Sequence, residues 1–144
     1  MIEPMGIFLV VDGSLISENA YFIRQREPGY EKASIRDIIG EIMSIADLCY
    51  LSGRKSCSVR GGMIATNRKD LYEAIRPWLP VYEGFFTYGG MSSKEIEAMA
   101  VGIREMTELE VAGASADAIK YFVGLLESKG IPVVTPPGGL AGHV

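Results

Sequence analysis

Ile7-Phe8-Leu9-Val10-Val11-Asp12-Gly13-Ser14 is an unbroken apolar run that stops at a polar turn. Apolar runs of this length, without alternation, suit a strand buried on both faces, as in a parallel sheet. The next periodic segment is of another kind. Ile35, Ile38, Ile39, Ile42, Ile45 and Ala46 recur at helical spacing and form one apolar face. Ser34 precedes them, with Asp37 three residues on, the pattern of a capping box with aspartate in the acidic place. Leu48 to Leu51 reads as a second strand, ended by Ser52-Gly53. Strand, helix, strand in that order predicts an α/β fold with parallel pairing.

The rest of the chain continues the alternation. Glu18 to Arg26 reads as a short helix ended by Pro28-Gly29. Val59 to Ala65 is a third strand interrupted by Gly61-Gly62. Asn67 can cap a helix to about Ile75, and Pro77 and Pro80 are expected to stop regular structure. A loop dense in Tyr, Phe and Gly runs from Val81 to Gly90. Ser92 with Glu95 is a full capping box for a helical tract to about Ser128, with Gly102 and Gly113 as places for a bend or break. Gly130 fits the position just past that tract. Ile131 to Thr135 is a fourth strand, and Gly142-His143-Val144 resembles the entry to another.

Composition bounds what this fold can do. The chain has 144 residues, a prior for one domain. Its 48% hydrophobic and 22% charged residues belong to a globular protein rather than a disordered one. With 14 Lys+Arg against 18 Asp+Glu, the net charge of −4 argues against a nucleic-acid partner or an anionic membrane, both of which need a basic surface. The apolar runs are too short to span a bilayer, and no leader pattern opens the sequence. Cys49 and Cys57 make no disulfide framework, and with His143 they are too few for a typical structural zinc site. The expectation is a cytoplasmic protein that uses neither disulfides nor zinc.

In parallel sheets ligands sit at the carboxyl ends of strands. Two polar clusters fall there: Asp12-Gly13-Ser14 and Ser52-Gly53-Arg54-Lys55-Ser56. Like-charge repulsion between Arg54 and Lys55 favours a free, nucleophilic amine. A carboxylate and a lysine, each at a strand end, are the pair that pyridoxal phosphate needs, the lysine for its aldehyde and the aspartate for its ring nitrogen. The same residues also have ordinary readings. Aspartate after a strand is a common turn residue, and Arg-Lys is a common solvated pair.

At these residues the sequence resembles the tryptophanase and tyrosine phenol-lyase family, pyridoxal-phosphate-dependent β-eliminating lyases. The resemblance rests on Glu18-Asn19-Ala20-Tyr21-Phe22-Ile23, Ser52-Gly53-Arg54-Lys55, Tyr82-Glu83-Gly84, Tyr88-Gly89-Gly90 and Glu97-Ala98-Met99-Ala100-Val101-Gly102, in that order along nearly the whole chain. It implies part of a fold-type-I enzyme, a mostly parallel sheet with flanking helices and a long connecting helix. Residues 1–91 would be the later part of the cofactor domain, 92–129 the connecting tract, and 130–144 the start of a smaller domain. The chain would be the central segment of a longer enzyme and inactive alone.

The resemblance also implies roles. Lys55 matches the cofactor lysine and Arg54 its basic neighbour. Asp12 matches the aspartate that faces the ring nitrogen, Ser52 a serine near the phosphate, and Tyr88 an active-site tyrosine. The backbone carbonyl at Arg60 falls where the family binds a monovalent cation such as potassium. The implied reaction cleaves Trp or Tyr to indole or phenol, pyruvate and ammonia, in a homo-oligomer or with complementary chain segments. Alternatives are a lyase or transferase of the same fold acting on another amino acid, and a catalytically silent scaffold. The sequence departs from the family at Leu15, where many members have arginine, at Phe86, where proline is common, and by one residue fewer between Lys55 and Gly61.

Overall fold

Leu9 is the anchor from which the sheet starts. Its amide donates to the Asp47 carboxylate at 2.8 Å, and its carbonyl accepts from the amides of Asp47 and Leu48. In the computed structural model, which describes residues 6–84 and 89–144, β1 (Val10–Asp12) then pairs in parallel with β2 (Leu48–Ser52). Val10 lies opposite Leu48 and Asp12 opposite Tyr50. β3 (Gly62–Ala65) joins the other side of β2, with Ser52 opposite Gly62, so the sheet order is β1-β2-β3.

The α/β class is as expected, but two features of the sheet differ. β3 runs antiparallel to β2. The reason is the connection: the 53–61 loop is a hairpin and has no room for the crossover helix that a parallel neighbour requires. The apolar run is also not buried on both faces. Ile7, Phe8 and Val10 are more than half exposed, and β1 is an edge strand. Burial is one-sided: Cys49 and Leu51 are buried, while Tyr50 and Ile64, paired across β2 and β3, are exposed on the other face.

Six α-helices follow from the described residues: α1 (Ile16–Arg26), α2 (Ile35–Ile45), α3 (Lys69–Ile75), α4 (Leu79–Tyr82), α5 (Ser93–Glu105) and α6 (Leu109–Ser128). Both boxes form. The Ser34 hydroxyl accepts the Asp37 amide at 3.0 Å and donates to the Asp37 carboxylate at 2.7 Å. The Ser92 hydroxyl accepts the Glu95 amide at 3.3 Å, and the Glu95 carboxylate accepts the Ser92 amide at 2.7 Å. Those contacts, the Ser92 backbone first, hold Glu95 below the usual carboxylate range. Ser92→Ala is expected to cost about 1 kcal/mol, read as a lower denaturation midpoint.

Other expectations are corrected. Asn67 is not the cap of α3; Arg68 holds that place, and its amide donates to the Thr66 hydroxyl at 3.0 Å. Pro77 and Pro80 do not end regular structure. Each sits in the opening turn of a short helix, the 3-10 turn Arg76–Trp78 and then α4, where a missing N–H leaves no bond unmade. The tract after Ser92 breaks between Glu105 and Leu109, not at Gly102 or Gly113. Thr107 closes the break, its amide and hydroxyl both donating to the Arg104 carbonyl. Ile131–Thr135 forms no strand; within it the Val134 amide donates to the His143 carbonyl. Gly130 fulfils its expected role. It has φ of 72°, its amide bonds the Glu127 carbonyl, and the Ile131 amide bonds the Leu126 carbonyl.

The chain divides into two compact units, residues 1–14 with 41–103 and residues 15–40 with 104–144. The first holds the sheet, α3, α4 and α5. The second packs α1 on α6 through small residues. Ala20, Ala112 and Ala116 are buried, and a Cβ on Gly113 would lie 2.9 Å from the Tyr21 ring. The Ser17 hydroxyl donates to the Met106 carbonyl at 2.6 Å, and the Tyr21 hydroxyl donates to the Asp117 carboxylate at 3.2 Å. Among the described residues no helix is long and apolar enough to cross a membrane.

Candidate functional site

Parallel pairing of β1 and β2 puts their carboxyl ends on one edge of the sheet. Asp12 is the last residue of β1 and Ser52 the last of β2. Four hydrogen bonds order the two strand ends and the turns that follow them, three of them running between the two segments. The Gly13 amide donates to the Tyr50 carbonyl at 2.7 Å. The Ser14 amide donates to Asp12 Oδ1 at 2.9 Å, the Ser52 amide donates to Ser14 Oγ at 3.1 Å, and the Ser56 hydroxyl donates to the Ser14 carbonyl at 3.0 Å. Gly13 is required here, since a Cβ at that position would lie 2.9 Å from Cys49 Sγ.

Asp12 is exposed and yet held below the usual carboxylate range. The Ser14 side chain is the main cause, then the Ser14 amide; desolvation opposes them, and the Tyr50 hydroxyl and the charge of Lys55 add smaller downward effects. The site therefore offers a permanent anion at neutral pH. A 13C titration of the Asp12 carboxyl is expected to give a midpoint below the ordinary aspartate value of about 4, and one at or above it would contradict this geometry. The folded value is depressed relative to the unfolded chain. Asp12 therefore contributes stability that is present above about pH 4 and is lost as pH falls through the folded midpoint.

The loop 53–61 carries the cations. Arg54 and Lys55 are exposed, and Lys55 is near enough to Asp12 to act on its charge. The loop is held at its base. The Gly53 amide donates to the Gly61 carbonyl, the Val59 amide to the Gly53 carbonyl and the Lys55 amide to the Ser52 carbonyl. Buried packing fixes it below. A Cβ on Gly53 would lie 2.6 Å from Met99 of α5, and one on Gly102 would lie 2.5 Å from the Cys57 carbonyl oxygen.

Asp12, Ser52 and Lys55 thus gather at one sheet edge, with Arg54 beside them. Arg60 is exposed near the end of the same loop, and its charge reaches Glu95. Tyr88 lies outside the described residues, as does Phe86. Among the described residues no cluster of three or more His, Cys, Asp or Glu is placed to hold a metal ion. A cavity of about 760 Å³ lies elsewhere, lined by Tyr72, Arg76, Leu79, Gly89, Gly90 and Met91 among others, and of the described site residues none of Asp12, Ser52, Arg54, Lys55 and Arg60 lines it.

Sequence reasoning missed three contributors. Ser14 and Ser56 clamp the two turns, and Tyr50 stands beside Asp12. The serines sat within the polar clusters already singled out. Tyr50 gave no signal, because its place opposite Asp12 is set by strand register.

No protein-family model matches the chain. Curated relatives do. It is 42% identical over 137 residues to a protein of Lacrimispora saccharolytica named tyrosine phenol-lyase, a match covering 94% of this chain and 29% of that protein. It is 40% identical over 137 residues to the tyrosine phenol-lyase of Pasteurella multocida, covering 94% of this chain and 30% of that one. It is 37% identical over 143 residues to a protein of Aeropyrum pernix named probable tryptophanase, covering 99% of this chain and 31% of that protein. The chain thus spans about 30% of the length of the curated relatives it matches.

Proposed function

We infer that this chain, a homologue of one segment of the tyrosine phenol-lyases and tryptophanases, carries the cofactor lysine of a pyridoxal-phosphate-dependent lyase that cleaves an aromatic amino acid to a phenol or indole, pyruvate and ammonia. One observation carries the reading: Asp12, held as an anion, and Lys55 lie on the same sheet edge with Ser52 and Arg54. The donor set fits the group. A primary amine suits its aldehyde, a fixed carboxylate its basic ring nitrogen, and a hydroxyl with a guanidinium its phosphate.

When bound, pyridoxal phosphate supplies a ring that draws electrons from the substrate's α-carbon. The chain's residues do the rest. Lys55 Nζ holds the cofactor and, once released, takes the α-proton. Asp12 keeps a proton at the ring nitrogen, which its lowered pKa suits, since it stays ionised opposite a cation. Arg54 and Ser52 bind the phosphate. Tyr88 either donates a proton toward the leaving aromatic group or positions the cofactor and cation. The Arg60 carbonyl contributes to a potassium site.

This reading places the chain in a cytoplasmic fold-type-I enzyme that works as an oligomer with amino-acid substrate. Residues 1–91 belong to its cofactor domain, 92–129 to the connecting tract and 130–144 to its small domain. Leu15 favours a second reading, a substrate other than Tyr or Trp. Its side chain packs toward Gly139, where a Cβ would lie 2.9 Å from Leu15 Cδ1, and it brings no charge to the cofactor ring.

A chimera tests the function. This chain replaces the matched segment of the Lacrimispora saccharolytica protein, and pyruvate release is measured from L-tyrosine, L-tryptophan and other amino acids. Release from an aromatic substrate, lost in Lys55→Ala, is the expected result. Release only from another amino acid would support the Leu15 reading. A cofactor-loaded chimera with no release from any would indicate a silent scaffold.

A further inference from the structure

We propose that Tyr50 is a positioning residue for Asp12, its hydroxyl fixing the carboxylate so that a free lone pair faces a protonated ring nitrogen. The inference rests on the cofactor reading above. Asp12 and Tyr50 are register partners on neighbouring parallel strands, so their side chains leave the same face of the sheet. That face is open: Tyr50 is 44% exposed, while Cys49 and Leu51 fill the opposite one.

Asp12 is held from two directions. Ser14 binds it from the turn after β1, its amide on Oδ1 at 2.9 Å, and on β2 the Tyr50 phenol, at the register position beside Asp12, acts on its ionisation. A carboxylate held only from the Ser14 turn, by that residue's amide and side chain, can still turn about χ2. A second donor on another strand removes that freedom and leaves a defined direction for a third partner. Tyr50 suits the task because it stays protonated. The negative charge of Asp12, then desolvation, then the shared hydrogen bond hold its phenol above the usual range. The titratable groups that act on Asp12 are Tyr50 and Lys55, and Cys49 in turn feels the Asp12 charge.

Tyr50→Phe in the 144-residue chain removes the hydroxyl and keeps the ring. Two readouts are needed. The first is the 13C titration of Asp12 without cofactor, in which the midpoint should rise in Tyr50→Phe. The second is binding of pyridoxal phosphate and of an analogue with C–H in place of the ring nitrogen. Tyr50→Phe should weaken the natural cofactor about threefold to tenfold, the range of one hydrogen bond, and leave the analogue unchanged. In an Asp12→Asn background it should have no further effect. An unmoved Asp12 midpoint, or equal weakening of both ligands, would overturn the proposal. If the unaltered chain captures neither ligand, the cofactor reading fails, and the Asp12 midpoint alone decides whether Tyr50 positions that carboxylate.

Discussion

Lys55→Ala is expected to abolish the visible absorption that pyridoxal phosphate acquires on mixing with this chain, and to weaken its retention at least about tenfold. The expectation follows from where the amines lie. Lys55 is on the 53–61 loop at the sheet edge, within reach of the Asp12 charge. Lys69, Lys94 and Lys120 lie in α3, α5 and α6, Lys32 precedes α2, and Lys129 caps α6. None of these is at the carboxyl end of a strand. A surface lysine can react with an aldehyde, but without a carboxylate and phosphate donors fixed beside it the product has nothing to hold it. Loss of the band in Lys55→Ala, with the band intact in Lys94→Ala, is the predicted pattern. Equal bands in both variants would show that the cofactor reacts without a site.

Gly102→Ala should destabilise the chain by about 1–2 kcal/mol, although alanine is the better helix former by about 1 kcal/mol. The new Cβ would lie 2.5 Å from the Cys57 carbonyl oxygen and 2.9 Å from Cys57 Cβ. The nearer atom is backbone and cannot swing aside, so overpacking outweighs propensity. Cys57 belongs to the loop that carries Lys55, so the same variant should also weaken the cofactor band. Gly124→Ala is the counterpart. It lies on exposed surface of α6 with nothing within 4 Å of a new Cβ, so it should raise stability. Denaturation midpoints moving in opposite directions for the two glycines would bear this out. A stabilised Gly102→Ala would mean that α5 does not approach the loop as closely as the fold requires.

What could be read from the sequence was local. Ser34 with Asp37, Ser92 with Glu95 and Gly130 each announce a helix end through bonds made within a few residues, and all three form. Asp12 and Lys55 were legible as chemistry because each follows an apolar run, and the sheet edge does gather them. What failed depended on distant partners. Nothing in Ile7–Val11 states that β1 is an edge strand, and nothing in Val59–Ala65 states that β3 turns back on β2. Gly102 and Gly113 looked like helix breakers, yet each clears space for a residue far along the chain, Cys57 and Tyr21. Tyr50 escaped notice for the same reason, since its meaning lies in its register with Asp12.

The central claim is that Lys55 is the amine that holds pyridoxal phosphate. The most direct measurement mixes the 144-residue chain with the cofactor, reduces the mixture with borohydride, and maps the pyridoxyl-bearing lysine by peptide mass spectrometry. A mark concentrated on the Lys55 peptide, and lost when Asp12 is changed to Asn, is the predicted result. A mark spread over Lys32, Lys69, Lys94, Lys120 and Lys129 in proportion to their exposure would contradict it.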